Sequence, residues 1–212
     1  MPAKKKATRK PSKKAAVKGA KVGPIRLPPI AEDRLTAEQQ ALMSAIASGP
    51  RGQFKMGGPF FCYLHSPAFG ELAQKLGAHL RFGTSIAPRL SEFAILTTAR
   101  QWRAQYEWAA HEPQALRAGV KPATIKALQA GREPKSAPKD ERAIYAFVQE
   151  VFRNGRAGDR AYKSVQAILG DAGMVELVGL LGYYSMVAMT LNVFRMPVPD
   201  GTPLPFKEPA TR

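Results

Sequence analysis

Cysteine occurs once in the 212 residues, at position 62. A single thiol excludes an intrachain disulfide, a C-x-x-C redox centre and a cysteine-rich zinc site. Acidic residues are missing from the first 26 positions, where ten of the 32 Lys and Arg lie. The net charge of +16 is therefore mostly a property of one end, and the remainder is mildly basic. No apolar run reaches the ~20 residues of a membrane span. The longest, Leu177 to Val193, contains Ser185, Thr190 and Asn192, so it is expected to be a helix buried in protein. A secretory leader is not expected either, because Lys recurs from residue 4 to residue 21. These absences point to a cytoplasmic protein with no membrane partner. Period-2 alternation and internal repeats are also missing, which leaves an all-α chain.

With 45% apolar residues the chain can build one sizeable core. Residues 1–34 form a basic tail and lead-in, whose Lys, Ala and Pro content predicts a solvated segment through residue 29. Such a tail offers salt-sensitive, sequence-blind contact with nucleic acid through residues 1–29. A helical domain is expected over 35–196, and a Pro-rich extended arm over 197–212. Thr36 with Gln39 makes a capping box for a helix through Ala47, which Gly49-Pro50 stops. A glycine-rich connection then leads to Pro59-Phe60-Phe61. Ser66-Pro67 starts a helix to about Arg81, with Leu72, Leu76 and Leu80 spaced four apart. From Arg89 to Glu112 neither Gly nor Pro intervenes, so the pattern admits one long helix or two abutting ones. Further helices are expected at Pro122–Ala130, Pro138–Arg153, Asp159–Leu169 and Ala172–Phe194.

Two stretches carry polar residues on apolar faces. Glu92 shares a stripe with Ile95, Leu96 and Ala99, where desolvation would raise its pKa and suit it to proton transfer. The helix macrodipole equally favours a carboxylate near a helix start. Farther on, Ala104, Glu107, Trp108 and His111 share a face, and Glu107 and His111 are four apart. A carboxylate so placed can fix the imidazole tautomer and make it a better proton donor. The alternative is an exposed helix pair of small energetic value. One histidine with two acids is a poor metal set, so no metal is expected. Pro113, two residues past His111, is expected to end or kink its helix.

The run from Gly58 to Pro134 contains PRLSEFAIL, QYEWAAH and AGV-x₄-I-x₂-L-x₂-G, and GYYSMVAMTLNVF follows near the end. Together these resemble the carboxymuconolactone decarboxylase family, within the superfamily that also holds the alkylhydroperoxidase D-type proteins. The likeness covers roughly residues 35–196. It implies an alkylhydroperoxidase D-like bundle of about seven or eight helices with extended terminal arms. It also implies a break near Gln101–Ala104 that folds Glu107 and His111 back on Glu92. The peroxidase branch carries C-x-x-C-x-x-x-H, and on His111 its cysteine positions fall on Ala104 and Glu107. Without those thiols, dithiol exchange is not available there.

The decarboxylase branch retains the pattern Glu92, Glu107 and His111. The resemblance implies a cofactor-independent lyase that removes CO₂ from a γ-carboxymuconolactone-like acid in aromatic-compound breakdown. His111 would be the general acid, Glu107 its orienting partner and Glu92 a second buried carboxylate. His65, Tyr106, Trp108 and Tyr184 are the candidates for lining the substrate pocket, with Tyr183 beside them. Cys62 is expected to be a small buried core residue. The apolar last helix, with the resemblance, implies a homo-trimer or homo-hexamer, and the terminal arms are expected to wrap neighbouring subunits. A peroxidase relative and a nucleic-acid-associated oligomer are the competing readings.

Overall fold

Proline sets the starts of the helices that frame the site, and the order of elements follows from those starts. The structure, a computed structural model, describes residues 23–199 and 201–207. Among them are eight α-helices and no strand. They are α1 (Ala37–Ser48), α2 (Gly58–Tyr63), α3 (Pro67–Phe82), α4 (Pro88–Gln101), α5 (Gln105–Arg117), α6 (Pro122–Gln129), α7 (Lys139–Asn154) and α8 (Asp159–Val193). Pro67, Pro88 and Pro122 each occupy the first helical position, where the missing N–H has no partner to lose. Thr36 and Gln39 form the reciprocal capping box of α1. Ser66 precedes α3 as foreseen, but its hydroxyl makes no capping bond.

The central element is α4, buried on every side from Leu90 to Ala99. It packs against α5, α6, α7 and α8, so its period does not select one buried stripe. The chain leaves α4 through Arg103, whose φ of 50° lies in the left-handed region. There Ala104 N–H donates to Ala99 O at 2.9 Å, closing the helix end with a reversed turn. The stretch Arg89–Glu112 is therefore two helices, and α5 returns antiparallel along α4. Pro113 does not end α5, which continues to Arg117.

Other expectations need correction. The glycine-rich connection after Gly52 contains a helical turn, α2, that brings Phe60 and Tyr63 toward the core. The two helices expected after Asp159 are present, as two limbs of α8 parted by a kink at Gly170 (φ 67°, ψ −179°), a conformation open essentially to glycine alone. In α3 only the last of the three evenly spaced leucines, Leu80, faces inward. Leu72 is 71% exposed and Leu76 also stands out, while Gly70, Ala73, Gly77 and Leu80 form the buried face. The leucine spacing marks a helix, but small residues are what let α3 approach its neighbours.

The termini are more engaged than their composition suggests. Residues 1–22, most of the predicted tail, lie outside the described residues. From Gly23 the lead-in is fixed: Arg26 N–H donates to Phe194 O at 3.2 Å, and Leu27 and Ile30 pack on the core. The arm at 201–207 folds onto its own chain in this structure. Gln105 and Phe206 exchange two hydrogen bonds, of 2.8 and 3.0 Å, and the Phe206 ring sits edge-on to Trp108 at 5.1 Å.

The segment expected to be a core helix, Leu177 to Val193, is the second limb of α8. By length and composition α8 could cross a membrane, yet half of its most apolar stretch is buried in the protein.

Candidate active site

The reversal at Arg103 lays the middle of α5 beside the first turns of α4, and three titratable side chains meet there. His111 Nδ1 lies 2.7 Å from Glu92 Oε2, and His111 Nε2 lies 3.3 Å from Glu107 Oε1. All three side chains are buried. The imidazole is thus held between two carboxylates, one from each helix. Burial alone lowers the His111 pKa, but the bonds to Glu107 and Glu92 outweigh it and leave the pKa raised. Glu92 has a second countercharge, the Arg81 Nε at 3.7 Å. The second oxygen of Glu107, Oε2, is buried without a hydrogen-bond partner. That orphaned acceptor is costly unless something protonates it or binds to it.

Glu107 and His111 form part of the wall of a cavity of about 430 Å³, within the range of small-ligand pockets. Tyr106, Tyr183 and Tyr184 line it from α5 and α8. The Tyr184 ring meets His111 edge-on at 5.1 Å, and burial raises the pKa of its hydroxyl. Arg51, Lys55 and Arg81 also line the cavity. Arg51 is braced over the Phe60 ring at 5.3 Å and donates to Gln74 O at 3.3 Å. Arg81 lies over Phe82 at 5.0 Å. The cavity therefore joins an acid–imidazole–acid array to cationic groups suited to an anionic ligand.

Of the residues expected to line the pocket, the structure places Tyr106 and Tyr184 there and removes two others. Trp108 is fully buried on the far side of α5, where its Nε1–H donates to Glu112 Oε2 at 2.9 Å. It pairs with Glu112 and Phe206 because the face it occupies is rotated away from that of Glu107 and His111. His65 is exposed, and its ring packs on Phe61 at 5.2 Å, outside the cavity. Arg51, Lys55 and Arg81 were not singled out from sequence. They come from a loop and from α3, and no spacing rule links them to Glu107. Cys62 is buried, as expected of a core residue, and burial pushes its thiol up to about 11. Among the described residues no group of three His, Cys, Asp or Glu side chains could hold a metal ion.

No protein-family model matches the sequence, and no curated protein matches it. A solved structure does. It is a protein of unknown function from Agrobacterium tumefaciens, described as a candidate antioxidant defence protein AhpD. It shares 18% identity over 65% of this chain and 95% of its own length, with a TM-score of 0.59. At that identity the likeness establishes the fold: this chain has the AhpD-like all-helical architecture.

Proposed function

We propose that this chain is a cofactor-independent carboxy-lyase acting on a small carboxylated lactone of the γ-carboxymuconolactone type. The observation that carries the reading is His111 held between Glu92 and Glu107 in the wall of a cavity that also presents Arg51 and Arg81. Decarboxylation needs two things of a protein. The breaking C–C bond must deliver its electron pair into an adjacent conjugated carbonyl, and a proton must then reach carbon. A guanidinium stabilises a carboxylate more than neutral CO₂, so Arg51 and Arg81 would hold a carboxylate that stays on the substrate. The departing carboxylate would face the less hydrated wall near Tyr184 and Val187, where losing charge is favoured. His111 would pass the proton, with Glu107 orienting the ring and Glu92 holding the imidazolium. The substrate is thus a diacid, one carboxyl lost and one retained.

The test is loss of ultraviolet absorbance with stoichiometric CO₂ release from γ-carboxymuconolactone, in the presence of chelator and thiol-blocking reagent. Arg81→Gln should raise KM more than it lowers kcat. No CO₂ release from this or related unsaturated diacids would overturn the reading. The neighbour's antioxidant description supports a second reading, a hydroperoxidase relative. Against it stands the buried, high-pKa thiol of Cys62, the sole cysteine. Peroxide turnover abolished by Cys62→Ser would favour it.

Two further expectations belong to this proposal. A homo-trimer or homo-hexamer is supported by the exposed apolar side chains of Leu72 and Leu76 on α3 and of Val175 and Val178 on α8, with Val175 75% exposed. Sedimentation of the full chain measures it. For residues 1–22, nonspecific nucleic-acid contact is supported by their nine basic residues without an acid. Their removal should abolish DNA retention at low salt and leave the lyase intact.

A further inference from the structure

At the opposite end of α4 from the site lies a second cavity, of about 230 Å³. Arg100 lies eight positions after Glu92, ~12 Å farther along the helix axis. Arg100, Arg103 and Arg132 line this one, with Gln101, Tyr145 and Gln149. Among the described residues no carboxylate belongs to its wall. None of the ion pairs among the described residues involves any of the three arginines. Cations near helix C-termini complement the macrodipole, and α4 and α6 both end here. That effect accounts for one guanidinium at each end but not for three lining one small polar hollow, where they repel each other.

The hollow is also built around its cations. Arg100 is fixed by its Nε–H, which donates to Gln129 O at 3.1 Å, and by stacking over Phe206 at 5.2 Å. Among the described residues no hydrogen bond from its terminal amino groups competes for a ligand. Gly131, with φ 68°, leaves room for this guanidinium, since a Cβ there would stand 2.7 Å from Arg100 Nη2. Burial and the charge of Arg103 both weigh against the Arg100 cation, a penalty that a bound anion would relieve.

We infer that this hollow is a binding site for a phosphoryl group, carried by inorganic phosphate or by a short phosphomonoester. Three arginines set at the ends of α4 and α6, with a tyrosine and two glutamines in the same wall, suit a tetrahedral dianion better than a planar carboxylate. The volume lies below the ~300–1,000 Å³ of pockets for larger ligands, which restricts the ester to a few carbon atoms.

The experiment is calorimetric titration of the full chain with inorganic phosphate, glycerol 1-phosphate and acetate at fixed ionic strength. Saturable phosphate binding is expected, weakened at least tenfold in both Arg103→Gln and Arg132→Gln, and retained in Arg81→Gln. Both substituted residues are exposed, and an unchanged melting temperature without phosphate confirms that the variants fold. Glycerol 1-phosphate binding at least as tightly as phosphate identifies the ester as the ligand class. Weaker ester binding identifies free phosphate. Absence of saturable binding, acetate binding as tight as phosphate, or loss of binding only in Arg81→Gln overturns the inference. The last outcome would assign the anion to the cavity beside His111. None of these results depends on lyase activity.

Discussion

Glu92 and His111 stand 19 residues apart in the chain and 2.7 Å apart in the fold. The pair exists because α4 ends at Gln101 and α5 runs back along it, so the turn through Arg103 is as much part of the site as the side chains. His111→Ala and Glu107→Gln are each expected to lower turnover by about 10²-fold or more, the scale of general acid–base groups. Steady-state kinetics on variants with unchanged far-ultraviolet circular dichroism measure this. Full activity in both would remove these residues from the chemistry.

The raised pKa of His111 carries a signature in stability. An imidazole whose folded pKa exceeds its unfolded value of about 6.5 contributes fully below that value and loses the contribution as pH rises through the folded pKa. Melting temperatures of the wild type and of His111→Gln should therefore differ most below about pH 6.5 and converge above it. A difference constant from pH 5 to pH 9 contradicts a charged, doubly held imidazole.

Gly77 sets the position of Tyr183. A Cβ at residue 77 would lie 2.0 Å from the Tyr183 hydroxyl oxygen and 2.3 Å from Cζ, so Gly77→Ala must push the ring aside. The expected cost is ~1–3 kcal/mol, the range for overpacking a close contact, measured by urea denaturation. In a Tyr183→Leu background the same change should cost clearly less, because the two residues are coupled. Additive effects would mean that Tyr183 is not what Gly77 accommodates.

Arg89 holds two acids at once, Asp140 and Glu141 at the start of α7. Glu141 is almost fully buried, and one of its oxygens already lacks a partner. Arg89→Leu leaves that carboxylate uncompensated and should cost about 3 kcal/mol, the lower end for breaking a buried pair, since Arg89 is partly exposed. Adding Glu141→Leu should recover much of the loss. Equal stability of the single and double variants would show that Glu141 does not depend on Arg89.

The sequence revealed the helices more fully than the surroundings of the site. Pro67, Pro88, Pro122 and the Thr36/Gln39 box are local devices, and each acts within one turn of chain. The four-residue spacing of Glu107 and His111 is likewise local. Their meeting with Glu92 depends on a helix break that periodicity could not distinguish from continuous helix, and only the family likeness suggested it. The outward turn of Leu72 and Leu76, the rotation of Trp108 away from the pocket and the arrival of Arg51 and Arg81 are products of long-range packing. In each case the amphipathic pattern identifies a face, but not what will cover it.

The paired bonds between Gln105 and Phe206 have a consequence for how the molecule is made. Phe206 closes the rear of the helix whose front carries Glu107 and His111, yet translation delivers it 101 residues after Gln105. Until then the Trp108 indole lacks its aromatic partner, and α5 is without its cover on that side. Nascent chains should hence reach their helical content well before they reach full competence. Ribosome-bound intermediates halted short of residue 206 are the species in which that gap can be observed.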